Sequence, residues 1–208
     1  MVTITGIAQD RGLICLLLDN GDRLWIRKAW LSEASFSEGS SIEESDLYRF
    51  IQLHQYPVAL NRAVAMLARR PCSTGEIRQK LRSGRFMADV IELVLYKLEK
   101  EQLLNDMEFC EQWIRYRMDC RYGPRRILQE LKCKGIPDSM ATAAMDLIDS
   151  AENDGHAVFL AAKCWKHMKD DENRTRARQK VIASLVRKGY DWQTAKRASD
   201  AAENTLNT

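Results

Sequence analysis

The sequence predicts a mainly α-helical protein in which three tandem three-helix repeats follow a small N-terminal antiparallel β-hairpin segment. Three observations predict it. The first thirty residues alternate like strands around "DNGD" (19–22), a strong hairpin signal. From Pro57 onward, helical periods of three to four turns follow one another with cap residues between them. And one pattern recurs: "EIRQKLRSGRF", "RILQELKCKGI" and "KVIASLVRKGY" superpose at offsets of 50 and 54 residues.

In chain order, "TITGIAQ", "LICLLLD" and "RLWIRK" read as two or three antiparallel strands forming a small subdomain of their own. "LSEASFSEGSSIEES" (31–45) is a polar connector, and Ser41 with Glu44 makes a capping box for a helix over 42–54. Further helix starts are marked by Ser73 with Glu76, Asn105 with Glu108, and Asp191. The implied divisions are 1–40 for strands and connector, 41–104 for a linker helix and first repeat, then 105–152 and 153–208. Within the repeats Ile77, Ile127 and Val181 share a register, followed by Leu81, Leu131 and Leu185, then Phe86, Ile136 and Tyr190. These are core positions.

Composition bounds the function. Among 208 residues, 45% apolar and 29% charged describe a globular protein, not a disordered one. No run approaches a membrane span, and "MVTITGIAQDRG" lacks the basic-then-apolar pattern of a signal peptide, so the expected place is the cytoplasm. Six scattered cysteines and three isolated histidines show no metal-ligand spacing, so reduced thiols, no metal and no cofactor are expected. Net charge is only +3, but it is unevenly spread: −3 over residues 1–54, +4 over 55–105, −2 over 106–152 and +4 over 153–208. Any polyanion would be met by patches.

"RYGPRRILQELKCKGI" (121–136) poses a specific problem. Gly123 and Pro124 start a helix, so Arg125 and Arg126 stand in its first turn, at the positive end of the dipole. That costs about 0.3–1 kcal/mol per exposed charge. With Ile127, Leu128 and Leu131 buried, Arg125, Gln129 and Lys132 share an exposed face, while Arg126 and Glu130 can pair on a flank. The same stripe is Gly75, Gln79 and Arg82 in the first repeat, and Gln179, Ala183 and Val186 in the third. The plain reading is a solvated face; the sharper one is an anionic partner for the two arginines. Chemistry finds no motif: no phosphate loop, no metal-binding pair on one helix, no nucleophile elbow. A non-enzymatic binding protein is the expectation.

"RAVAMLARRPCSTGEIRQKL" (62–81), "LLNDMEFCEQWIRYRMDCRYGPRRILQELKCKGI" (103–136) and "LVRKGYDWQTA" (185–195) resemble RecX, the bacterial regulatory family of the RecA recombinase. The resemblance runs from about residue 57 to 200, leaving the strands outside it. It implies arrays of three-helix repeats that lie in the groove of the RecA–DNA filament. There they restrain ATP hydrolysis, strand exchange and co-protease activity, within DNA repair, homologous recombination and the SOS response. Some members also bind single- or double-stranded DNA. The resemblance implies no enzymatic activity. The residues expected to meet the partner are Arg125, Arg126, Gln129 and Lys132, then Arg115, Arg117 and Arg121 from the preceding helix, and Arg82 in the first repeat. Tyr122 is read as a packing residue. The third repeat departs from the pattern, with "KDDENRTRARQK" ahead of its central helix. A monomer without membrane association is expected. The alternative is a regulator or architectural protein that binds duplex directly, with Arg125, Gln129 and Lys132 entering a groove as in a helix-turn-helix.

Overall fold

The computed structural model describes residues 1–10, 12–168 and 173–206. Residues 169–172, the start of the atypical "KDDENRTRARQK" run, lie outside them. The described residues are mainly helical, with four strands and ten α-helices, and the chain divides into two compact units, Met1–Asn105 and Asp106–Thr208.

The first unit opens with β1 (Val2–Asp10), β2 (Leu13–Leu18) and β3 (Arg23–Arg27), then α1 (Lys28–Glu33) and β4 (Ser41–Ile42). All neighbours in the sheet are antiparallel, in the order β3-β2-β1-β4. The "DNGD" turn forms as expected, with the Asn20 side chain accepting from the Asp22 N–H at 2.9 Å. Alternation places Val2, Ile4, Ile14, Leu16, Leu18, Leu24 and Ile26 in one apolar core. Closing that core are Leu47 and Ile51 of α2 (Glu44–Leu67). The other half of α2 contributes Ala59 and Ala63 to a second core with α3 (Thr74–Ser83) and α4 (Ala88–Lys100), built on Ile77, Leu81, Val94 and Leu98.

Three expectations about this region are corrected. Ser41 does not cap a helix; it pairs with Thr3 across β1 and β4, their hydroxyls 3.2 Å apart, and α2 begins at Glu44 without a side-chain cap. Nor does a helix stop before Pro57. α2 runs through it for 24 residues. An interior proline costs about 3 kcal/mol. Burying large aliphatic side chains contributes about 1.5–3 kcal/mol each, and Leu47 and Ile51 are completely buried before the proline. The strands are therefore not a subdomain of their own: α2 is shared between the sheet core and the helical core. The Ser73–Glu76 capping box forms in both directions.

The second unit holds two three-helix groups. α5 (Asp106–Asp119), α6 (Pro124–Cys133) and α7 (Asp138–Ala144) enclose Phe109, Ile114, Ile127, Leu131 and Ile136. α8 (Ser150–Lys166), α9 (Arg174–Lys188) and α10 (Trp192–Leu206) enclose Trp165, Val181, Leu185, Tyr190 and a set of alanines that let the helices approach closely. The nine register positions of the repeat are all buried except Phe86, which packs partly buried against its core. None of the six cysteines, all among the described residues, forms a disulfide. Among the described residues no helix is long and apolar enough to cross a membrane.

Candidate partner-binding surface on α6 and α9

The first turn of α6 needs acceptors for its N–H groups, and its cap residue, Gly123, has no side chain to offer one. The C-terminal end of α9 supplies them. The Gly123 N–H donates to the Lys188 carbonyl and the Arg125 N–H to the Gly189 carbonyl, each at 3.0 Å. Gly189 caps α9 in the left-handed conformation, φ +101°. A Cβ on Gly123 would fall on the Gly189 carbonyl carbon and the Tyr190 nitrogen, well inside contact distance. Only two glycines let the helix ends approach this closely. Buried Tyr190 adds a hydrogen bond from its hydroxyl to the Arg121 carbonyl at 3.2 Å, and burial pushes that hydroxyl up to about 12, so it remains a donor.

This junction explains why two arginines begin α6. The positive end of one helix abuts the negative end of another, and the two dipole terms are of opposite sign and similar size. Arg187 and Lys188 in the last turn of α9 gather at the same carbonyl end.

The arginines then divide into two kinds. Arg126 donates through Nε to Glu130 at 3.0 Å and lies 4.1 Å over the Tyr122 ring. Arg117 donates to both Glu130 oxygens, its Nε at 2.6 Å, and lies 4.3 Å over the same Tyr122 ring. Burial raises the Glu130 carboxyl, but the hydrogen bonds from Arg117 and Arg126 outweigh it and hold it below the ordinary range. Arg117 is only 15% exposed. It is committed to the fold. Tyr122 is a packing residue, enclosed by Arg117, Arg126 and Lys188.

Arg125 and Gln129 are exposed, and among the described residues neither side chain forms a hydrogen bond or ion pair. Asp191 feels the Arg125 charge, though its carboxyl is lowered chiefly by the Thr194 backbone N–H. Lys132 completes the row, held at 2.9 Å by an Asp138 that is itself 78% exposed, so the pair is weak and exchangeable. Between this face and α9 runs an open groove of about 430 Å³ that also takes in Cys133, Val186 and Arg187. Sequence reasoning missed Arg187. The signal available was a basic last turn ahead of a C-cap glycine.

The remaining expected residues lie elsewhere. Arg115 lines a different pocket on α5, among the carboxylates of Glu111, Asp119, Asp149 and Glu152. Arg121 is not on the preceding helix as expected: α5 ends at Asp119, Arg121 takes a positive φ of 56° in the turn after it, and its guanidinium covers Phe159 at 4.3 Å. Arg82 belongs to the first unit, where its charge helps lower Glu92 after the stronger hydrogen bond from Arg78.

Comparison with known proteins places the chain. A family model described as the first three-helix domain of RecX matches residues 59–98, and one described as the second matches 105–145. The first match begins in the middle of α2, where its burial passes from the sheet core to the helical core. A regulatory protein RecX from Prosthecochloris aestuarii is 36% identical over 143 residues, covering 68% of this chain and 91% of that protein. One from Listeria innocua is 28% identical over 177 residues, covering 85% of this chain; it is longer, and the chain spans 65% of its length. A crystal structure of a regulatory protein RecX superposes with a TM-score of 0.65 at 23% identity, over 96% of this chain and all of the other, which shows the same fold. By the identity it shares across nine-tenths of a RecX relative, and by the match of two successive three-helix units, the chain belongs to the RecX family of regulatory proteins.

Proposed function

We propose that this chain regulates the RecA–DNA filament, binding it and inhibiting or modulating its ATP hydrolysis, strand exchange and co-protease activity. The observation that carries the reading is the outer face of α6, where Arg125, without an ion pair among the described residues, stands beside Gln129 and Lys132 and opposite Arg187. A nucleoprotein filament presents phosphates and acidic protein surface to such a face, and desolvated guanidinium–anion contacts are the strong ones. The protein acts by binding, with no catalysis, metal or cofactor of its own, as a cytoplasmic monomer. Its working modules are the helical repeats within 41–104, 105–152 and 153–208, with the strands of 1–40 joined to the first through α2.

The test is binding to a RecA–DNA filament and to naked duplex at one salt concentration, alongside RecA ATP hydrolysis titrated with the protein. Tighter binding to the filament with falling hydrolysis supports the reading. Equal or tighter binding to duplex would replace it with direct DNA recognition by the three-helix units.

A further inference from the structure

A second surface lies in the Met1–Asn105 unit, where the outer face of the sheet meets the turn between α3 and α4. In β3 the inward positions are Leu24 and Ile26, so Arg23, Trp25 and Arg27 take the opposite face. With Trp30, Arg62 of α2 and Arg85 of the turn, Trp25 and Arg27 line one cleft of about 290 Å³. Its walls are bolted together. The buried Gln55 amide donates to the Trp25 carbonyl at 2.7 Å and accepts from the Met87 N–H at 2.8 Å.

The charge in this cleft has one sign. Arg27, Arg62 and Arg85 converge on it, and no carboxylate is among its lining residues. Among the described residues Arg27 and Arg62 form no ion pair, and Arg85 reaches only Asp10, at 3.4 Å and half-exposed. Each tryptophan carries a guanidinium: Arg85 lies 4.2 Å over Trp25, and Arg27 lies 5.6 Å over Trp30. Arg85 is also the odd member of the repeat. It stands one residue before Phe86, as Gly135 stands before Ile136 and Gly189 before Tyr190. All three positions are left-handed, with φ of 64°, 78° and 101°. Two repeats use glycine there, and the first holds an arginine in a conformation that side chains disfavour. That arginine lies against Trp25.

We propose that this cleft binds single-stranded nucleic acid, with a base stacking on the tryptophan and guanidinium planes and phosphates held by Arg27, Arg62 and Arg85. Flat π surfaces interleaved with cations, of which only Arg85 has an ion pair among the described residues, suit an unstacked base and its backbone. A duplex keeps its bases inside, and an acidic peptide offers carboxylates without faces to stack. The site is independent of the α6 surface, and failure of either reading leaves the other standing.

The test titrates the full chain with a deoxythymidine oligomer of about 16 nucleotides, then maps photocrosslinked peptides. Crosslinks at Trp25 or Trp30 are expected. Arg27→Glu with Arg62→Glu should weaken binding roughly tenfold or more and reduce the salt slope by about 1.4, for two lost phosphate contacts. Arg27→Gln with Arg62→Gln should act in the same direction, and Lys163→Glu with Lys166→Glu, a matched charge change on α8, should not. Unchanged affinity in both cleft variants would overturn the proposal, as would crosslinks confined to the Asp106–Thr208 unit. So would equal competition by polyglutamate or by a duplex of the same length.

Discussion

Gly123 and Gly189 touch backbone to backbone, and that contact joins the last two three-helix groups of the chain. It brings the N-terminus of α6 onto the C-terminus of α9, so each helix end satisfies the other's unpaired groups. The arginines of the α6 first turn follow from it. Arg126 is held by Glu130 and Tyr122, while Arg125 is left facing outward.

A side chain at either glycine should separate the groups. Gly123→Ala pushes a Cβ into the Gly189–Tyr190 backbone, which cannot yield as a flexible side chain would. The expected loss in urea denaturation is about 1–3 kcal/mol. Gly155→Ala is the contrast: it lies within α8 with open space at its Cβ, and should stabilise by about 0.5–1 kcal/mol. A neutral Gly123→Ala would mean that the glycine contact does not join these groups.

Glu130 ties α5 to α6 by accepting from Arg117 and Arg126. Glu130→Ala leaves the largely buried Arg117 guanidinium without its acceptor, at a cost of about 1–3 kcal/mol. The same pair sets an acid limit. Because the folded carboxyl lies below its ordinary 4.5, its contribution is complete above that pH and is lost as the pH falls through the lower folded value. Thermal denaturation should show wild type losing stability in that window more steeply than Glu130→Ala. Parallel curves would remove this pair as the cause.

How much of this was readable from the sequence depends on distance along the chain. Ile127, Leu131 and Ile136 announced themselves by spacing, and each is buried. Ser41 misled because its pairing with Thr3 is remote, while the capping pattern with Glu44 is local. Pro57 suggested a break because its effect is local, whereas what holds α2 together is burial in two separate cores. The exposed face of α6 was legible from helical angles alone. The fate of Arg117 was not, since Glu130 reaches it from the next helix. Nor could Gly123 show more than a cap, as its partner comes from another repeat.

Because the Arg125 side chain is exposed and, among the described residues, makes no hydrogen bond or ion pair, while that of Arg126 is built in, single reversals should separate binding from stability. Arg125→Glu should keep the thermal midpoint, or raise it slightly, since an acid suits a helix N-terminus. In the same variant filament affinity should fall about tenfold, near 1.4 kcal/mol. Arg126→Glu instead puts a second carboxylate beside Glu130 and should lower the midpoint by several degrees. Full inhibition of RecA ATP hydrolysis by Arg125→Glu would remove this turn from the interface.

Removing the third repeat should weaken the second, although no residue of the second is changed. A chain ending at residue 152 keeps α5, α6 and α7 but loses the Lys188 and Gly189 carbonyls and the Tyr190 hydroxyl. Three hydrogen bonds at about 0.5–1.5 kcal/mol each disappear, along with the apolar contact of Tyr190 and the dipole partner of α6. The first unit shares none of these groups and should be untouched. Amide exchange resolves the two cases: Gly123 and Arg125 should exchange far faster in the truncated chain, while amides of α3 and α4 keep their protection. The same chain should inhibit RecA less per mole than full-length protein, because linked weak contacts gain on the order of 10²–10⁴ in avidity. The Arg125→Glu variant separates the causes: it loses a contact with the junction intact, whereas the truncated chain loses the junction as well. Unaltered exchange at Gly123 after truncation would show that α6 supports its own first turn, and the α6–α9 junction would then be a contact without structural weight.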